Sequence, residues 1–188
     1  MKIILASQSP RRKELLGRLV SEFTIQPADI DETPQLQEDP IAYVQRMAAE
    51  KAAAVQEENE EALVIASDTT VVLGNEILGK PENDEDAKRM LRKFSGNTHD
   101  VYTAVVLSDG TQEEHILSHA AVTFYELTEE EIERYLATGD HRDKAGAYGI
   151  QSYAGAFVES ISGDYYSIVG FPIGAVNQAL KKWVNILS

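Results

Sequence analysis

Two periods of hydrophobic residues alternate along the chain and predict alternating strands and helices. Short apolar runs rich in β-branched residues predict strands, and stretches with apolar residues every three to four positions predict helices. The predicted strands are residues 3–6, 23–26, 62–66, 70–73, 101–107 and 120–125. The predicted helices are residues 10–19, 40–55 and 84–93, one that starts at Thr128, and residues 172–186, which include Trp183.

Local signals mark where these elements begin and end. Thr128 with Glu131 has the spacing of a capping box, and Gly139 can end the helix that follows. The pair Asp109-Gly110 predicts the turn of a long hairpin, which needs antiparallel strands among the others. We therefore predict an α/β fold with a mixed sheet flanked by helices, and an irregular glycine-rich loop at 143–151.

Composition narrows the class of protein. The 188 residues are 43% hydrophobic without a long apolar run, which predicts one soluble domain (residues 1–188) or two tightly joined lobes. A net charge of −14 argues against binding to nucleic acid or to an anionic membrane. The chain has no cysteine, which excludes disulfides and thiolate metal sites. The apolar N-terminal run is too short for a signal peptide, so we expect a cytoplasmic protein.

A cluster of cations opens the first predicted helix. Ser9 is a good N-cap and Pro10 a good first helical residue, and the next three residues, 11–13, are Arg, Arg and Lys. Cations are unfavourable at the positive end of a helix dipole unless an anion lies among them. The cluster is therefore either a solvated helix face or an anion site of a kind that suits phosphate.

One phosphate motif is rejected. Residues 74–80 have the glycine and lysine spacing of a P-loop, but Pro81 stands where that motif needs Ser or Thr. Proline supplies neither a hydroxyl for magnesium nor an N–H. Lys80 can still contact phosphate as a single charge.

Asp68 is the strongest candidate for chemistry because Ser67-Asp68 interrupts apolar sequence and divides the strand predicted there. A buried carboxylate is costly unless it is paired, metal-bound or hydrogen-bonded. Asp68 is therefore either a structural partner of a turn or an arginine, or a functional group. In the second case Asp29, Asp31 or Glu32 could supply another carboxylate for Mg²⁺ or Mn²⁺.

Lysines and histidines give weaker signals. Lys51 ends an alanine-rich stretch and is either a surface residue or a ligand, and Lys144 lies in the glycine-rich loop. His115 and His119 are four apart in a predicted strand, which separates them by about 13 Å at ~3.3 Å per residue and argues against a shared metal. His99 is predicted to form hydrogen bonds at a turn or sheet edge.

Six segments together resemble the Maf family of nucleoside triphosphate pyrophosphatases in order and spacing, over nearly the entire chain. They are residues 7–16 (SQSPRRKELL), 67–69 (SDT), 79–81 (GKP), Ser95-Gly96 with His99, Val101 and Thr103, 143–151 (DKAGAYGIQ), and 163–166 (GDYY). Arg11, Thr69 and Gln151 are similar to the dTTP/UTP branch of the family rather than to the branch that acts on 7-methyl-GTP.

The resemblance implies hydrolysis of a nucleoside triphosphate to monophosphate and pyrophosphate, in an elongated α/β fold whose two lobes form a nucleotide cleft. Asp68 matches the proposed catalytic base, and Glu32 with Asp68 would hold Mg²⁺ or Mn²⁺. The substrate-binding positions implied are Ser7, Ser9, Arg11, Arg12, Lys51, Thr69, Lys80, Lys144 and Gln151. The Gln151 carboxamide can pair with uracil or thymine, although an amide can also pair with adenine.

Other functions stay open at this point. One alternative is a nucleotide-binding regulator with little turnover, in line with a proposed connection of Maf proteins to inhibition of septum formation. Another is a scaffold whose basic helix binds an acidic protein segment. The partners expected are a nucleoside triphosphate and, as an open alternative, a second copy in a homodimer, with neither nucleic acid nor membrane.

Overall fold

The structure of this chain, a computed structural model, describes residues 1–183. Its strands are β1 (Ile3–Leu5), β2 (Thr24–Ile25), β3 (Leu63–Leu73), β4 (Glu76–Leu78), β5 (Thr98–Ser108), β6 (Glu113–Phe124) and β7 (Val158–Gly163). Its α-helices are α1 (Pro10–Gly17), α2 (Pro40–Gln56), α3 (Asp84–Phe94), α4 (Glu129–Leu136), α5 (Tyr165–Val169) and α6 (Ile173–Leu180). Two short 3-10 helices lie at Ala145–Ala147 and Tyr153–Phe157.

The strands form one seven-stranded sheet in the order β2-β1-β3-β5-β6-β7, and β4 pairs with β3. Strand β1 runs parallel to both β2 and β3, with Ile4 opposite Thr24 on one side and Val64 on the other. The pairs β3–β4 and β6–β7 are antiparallel. The predicted mixed sheet in an α/β fold is confirmed.

The chain divides into two compact units. The first unit comprises Met1–Asp68, Thr103–Ser118 and the chain from Gly170 onward. The second comprises Thr69–Tyr102 and His119–Val169. The prediction of a single domain stays a prediction.

Each unit has buried apolar side chains of its own. In the first unit, α1 buries Leu15 and Leu16 and α2 buries Val44 and Met47, and small alanines of α2 are also buried. The second unit has a core rich in aromatic residues, which includes Phe94, Phe124, Tyr135, Tyr148 and Phe157. Within residues 1–183, no helix is long and apolar enough to cross a membrane.

Several predicted boundaries are corrected by the structure. The predicted break at Ser67-Asp68 is wrong, because β3 runs through both residues. Strand β3 continues there because both polar side chains have buried partners. Ser67 donates to the Gly170 carbonyl (3.1 Å), and Asp68 accepts from the Lys51 ammonium (2.7 Å).

Two helices end earlier than the sequence pattern predicts. Helix α1 ends two residues before the predicted position 19, and α6 ends at Leu180, before the predicted position 186. Residues 181–183 form a turn in which the Trp183 indole donates to Asp109 (2.7 Å), and residues 184–186 of the predicted helix lie outside the described residues. Strands β4 and β7 and helix α5 were not predicted.

Candidate active site

The start of α1 forms a tightly capped turn in the first unit. Ser9 is the N-cap, with extended backbone angles (φ −64°, ψ 119°), and its side chain accepts from the Arg12 amide. Ser7, just after β1, accepts from the Ser9 amide (3.2 Å) and from the Arg12 guanidinium (3.3 Å). The predicted cap is confirmed, and two hydroxyls and a guanidinium share one turn.

Arg12 is anchored from a distant part of the sequence. Its Nε donates to the Gly170 carbonyl (2.9 Å), which also accepts from Ser67 in β3 (3.1 Å). Burial lowers the Arg12 pKa, and the negative charge of Asp68 opposes that shift. The guanidinium is therefore fixed in the electrostatic neighbourhood of Asp68.

Lys51, Asp68 and Glu32 form a charged triad in the first unit. The Lys51 ammonium donates to Asp68 Oδ1 (2.7 Å) and to Glu32 Oε2 (2.9 Å). Lys51 is 8% exposed and Asp68 7%, so the surface alternative for Lys51 is wrong. Burial raises the Asp68 pKa, against the opposing effects of Lys51 and Arg12. The triad brings two predicted acidic residues to one cation.

Helix α2 also holds the segment that carries Glu32. The Tyr43 hydroxyl donates to the Glu32 carbonyl (2.8 Å), and Arg46 donates to the Thr33 carbonyl (3.2 Å). The Arg46 guanidinium also donates two hydrogen bonds to the Glu38 carboxylate (2.6 and 2.7 Å). Tyr43 and Arg46 were missed by the sequence reasoning, although their spacing of three on a predicted helix placed them on one face.

Arg11 has a different environment from Arg12. It lies in the same first turn and is partly exposed, and within residues 1–183 it has neither a hydrogen bond nor an ion pair. Its guanidinium is therefore available to an anionic ligand. Nothing in this geometry tests its predicted role in specificity.

The second unit holds the remaining predicted residues: Thr69, Lys80, Lys144 and Gln151. Thr69 is partly exposed, and Lys80 and Gln151 are exposed. The Gly146 amide donates to the Gly79 carbonyl (3.0 Å), which brings the glycine-rich loop to the segment carrying Lys80. Residues 76–78, inside this motif, form strand β4 rather than a phosphate-binding loop, so the rejection of a P-loop is confirmed.

Asp140 was missed and lies at the centre of a polar network. Its side chain accepts from Lys144 (3.1 Å), from Ser152 and, more weakly, from Tyr135 (3.4 Å). The signal in the sequence was the spacing of four between Asp140 and Lys144, which suits an ion pair across one turn.

His99, His115 and His119 each form a hydrogen bond to another side chain. His115 pairs with Glu113 (2.8 Å) and His119 with Asp100 (2.6 Å), so each of these imidazoles contacts a different carboxylate. His99 does form a hydrogen bond, to the Tyr148 hydroxyl (2.7 Å), but it is fully buried in β5 rather than at an edge. Among residues 1–183, no three metal-binding side chains form a ready-made metal site.

The sequence is similar to a known protein family and to named relatives. A family model described as Maf-like protein matches residues 2–183. The dTTP/UTP pyrophosphatase of Pseudoalteromonas atlantica is 48% identical over 184 residues, which cover 96% of each chain. The dTTP/UTP pyrophosphatase of Bacillus cereus (strain B4264) is 46% identical and covers 97% of this chain and 95% of its own. The protein of that name from Hahella chejuensis is 48% identical, with 97% and 92% covered.

A solved structure supports the fold alone. The Staphylococcus aureus Ham1 protein superposes with a TM-score of 0.51 at 14% identity, over 67% of this chain and 73% of that chain.

Proposed function

The chain belongs to the Maf family, and from this premise we propose that it is a nucleoside triphosphate pyrophosphatase acting on dTTP and UTP. The function predicted from the sequence is the one that the curated relatives carry in their names. The structural observation that supports it best is the Lys51 ammonium between the Glu32 and Asp68 carboxylates. Hydrolysis of a polyphosphate needs groups of both signs of charge. Cations neutralise the phosphates, and a carboxylate accepts the proton of the attacking water.

In the proposed reaction, water adds to the α-phosphorus, the bond to the bridging oxygen breaks, and pyrophosphate leaves with the nucleoside monophosphate as second product. Asp68 accepts the proton of the attacking water. Its burial raises its pKa, which makes it a stronger base than an exposed aspartate. The neighbouring Lys51 favours the ionised form that a base requires.

The cations of the first unit would hold the triphosphate. Arg12 and Lys51 are fixed by the contacts described above, and Arg11 is available to a ligand. The Ser7 and Ser9 hydroxyls lie on the same turn as both arginines. A preorganised set of donors stabilises charge without the cost of rearrangement, which is the main means of catalysis in phosphoryl transfer.

We propose Mg²⁺ or Mn²⁺ as the metal, held by Glu32 and Asp68. The donor set suits these ions, because Mg²⁺ is usually bound by one or two carboxylates together with substrate phosphates. The shared contact with Lys51 shows that both carboxylates reach one positive charge. When bound, the ion would neutralise charge on the phosphate oxygens.

Further residues would supply specificity and additional phosphate contacts. Lys80 and Lys144 would contact phosphates, while Gln151 would pair with the pyrimidine edge. Thr69 and Arg11 are the other proposed specificity residues. Exposure of Gln151 and Lys80 leaves both side chains accessible to a nucleotide.

A panel of nucleoside triphosphates with and without Mg²⁺ or Mn²⁺ tests the proposal. We expect metal-dependent turnover of dTTP and UTP well above that of CTP, ATP and GTP. Preference for a purine triphosphate would refute the substrate assignment. Tight binding of UTP without product in the presence of metal would favour the nucleotide-binding regulator instead.

The net charge of the chain bears on the class of ligand that it binds. A net charge of −14 supports a small-molecule ligand rather than nucleic acid. A homodimer and a cytoplasmic location stay predictions, and light scattering and cell fractionation check them.

A further inference from the structure

The loop that carries Lys144 and Gln151 is tied to a carboxylate outside the residues discussed so far. The Lys144 ammonium donates to Asp140 Oδ1 (3.1 Å) and to the Asp140 carbonyl (2.5 Å). At the other end of the loop, the Ser152 hydroxyl donates to Asp140 Oδ2 and contacts the Gly149 carbonyl (2.9 Å). One carboxylate thus links both ends of the segment 144–152.

This segment has an unfavourable backbone that needs such support. Gly146 (70°) and Ala147 (62°) within it have positive φ angles, as does Asp143 (60°) immediately before it. Two of them are not glycine, and a side chain in this region costs on the order of 1 kcal/mol or more. Strained backbone persists only where surrounding contacts determine it, and it is concentrated at functional sites.

The pair of Asp140 and Lys144 is also partly shielded from water. The Lys144 side chain is 18% exposed and the Asp140 side chain 27%. Burial alone raises the Asp140 pKa, but hydrogen bonds from Ser152 and Lys144 outweigh burial and lower it. Asp140 is therefore an anion at neutral pH, and it restricts a lysine that would otherwise extend into solvent.

We propose that Asp140 is a positioning residue for nucleotide binding. Its carboxylate fixes Lys144 at the start of the segment and Ser152 at the end, and so sets where the Lys144 ammonium and the neighbouring Gln151 carboxamide meet the nucleotide. This inference rests on the proposed function. Lys144 would take an anionic phosphate, and Gln151 the edge of a pyrimidine base.

A double-mutant cycle tests the Lys144 contact. Asp140→Asn keeps the shape and an oxygen acceptor for Ser152 but removes the charge that holds Lys144. We expect the KM for UTP to rise about tenfold with kcat nearly unchanged, because binding rather than the chemical step is affected. Lys144→Met should have a similar effect, and the double variant should be no worse than Lys144→Met. Multiplicative effects in the double variant would overturn the proposal.

Ser152→Ala tests the other end of the segment. This variant leaves the contact between Asp140 and Lys144 intact, so we expect the preference for UTP over CTP to fall while the inhibition constant for pyrophosphate is unchanged. An unchanged preference would contradict the proposed hold on Gln151. The same variant tests the proposal if Asp140→Asn does not fold, which its thermal unfolding midpoint would show.

Asp100→Asn is the matched control, since Asp100 is a partly exposed aspartate of the same unit that pairs with His119. It should leave KM and the UTP/CTP preference unchanged.

Failure of the wild-type chain to hydrolyse UTP would refute the proposed function. The effects of the same variants would then be measured on UTP binding by calorimetry. A chain that neither hydrolyses nor binds UTP overturns both ideas.

Discussion

The two units bury polar groups in different ways. In the first unit, Lys51 and Asp68 are both nearly inaccessible and form an ion pair, with Glu32 and Arg12 as further charged neighbours. In the second unit, His99 and Tyr148 are also buried but form a hydrogen-bonded pair among aromatic rings. Burial raises the pKa of Asp68 and lowers that of His99 to about 4.

The comparison separates a chemical role from a structural one. Burial disfavours the charged form in both places; the cations Lys51 and Arg12 oppose this effect at Asp68, whereas the Asp100 carboxylate does not prevent burial from lowering the His99 pKa to about 4. Asp68 can therefore be an anion that accepts a proton, whereas His99 stays neutral near physiological pH. Removing the charge of Asp68 should affect turnover, and removing His99 should affect stability.

Asp68→Asn should have the largest effect. The amide keeps the shape of the side chain but cannot act as a base, so we expect kcat for dTTP and UTP to fall by about 10³-fold or more. Steady-state kinetics would measure this loss.

Asp39→Asn is the matched control, because Asp39 is the N-cap of α2 and asparagine caps a helix equally well. Near-normal turnover of Asp68→Asn would remove Asp68 from catalysis. That result would also contradict the distinction between a chemical role for Asp68 and a structural role for His99.

Lys51→Met should have the next largest effect. It preserves much of the buried aliphatic chain but leaves Glu32 and Asp68 without their shared cation, so we expect kcat/KM to fall by about 10²-fold. Lys2→Met is the control, since Lys2 is an exposed lysine of the same unit whose ammonium donates to Asn59 (3.4 Å). Equal losses in both variants would show that Lys51 has no special role.

His99→Gln should change the pH dependence of stability rather than turnover. Folded His99 has a pKa of about 4 against 6.5 for an unperturbed histidine, so the unfolded state binds more protons between these values. Stability from this residue is full above pH 6.5 and is lost as pH falls toward 4. Between pH 7.5 and 4.5, the wild type should lose about 2.5 kcal/mol more than His99→Gln.

Urea unfolding at the two pH values measures this difference. His115→Gln serves as control, because His115 is exposed and pairs with Glu113. Equal pH dependence in the wild type and His99→Gln would show that His99 is protonated in the folded state.

Local sequence signals predicted part of this molecule well. Pro40 and the capping box at Thr128 mark helix starts that the structure confirms. Strand β7 was missed because five of its six residues, which form an edge of the sheet, are exposed and leave no alternating apolar pattern. The break predicted at Asp68 was wrong because its partner lies on α2, a contact that no local pattern reveals.

The candidate site shows the same limit. The resemblance named Glu32, Lys51 and Asp68, but only the structure shows that Lys51 contacts both carboxylates. Asp140 was missed because its second partner, Ser152, is twelve residues away across an irregular loop.

The products of UTP hydrolysis test the central claim most directly. In ³¹P NMR of UTP incubated with the wild-type protein and Mg²⁺, we expect the resonances of UMP and pyrophosphate to appear in equal amounts. The Asp68→Asn protein should give neither. Formation of UDP and orthophosphate by the wild type would contradict a pyrophosphatase.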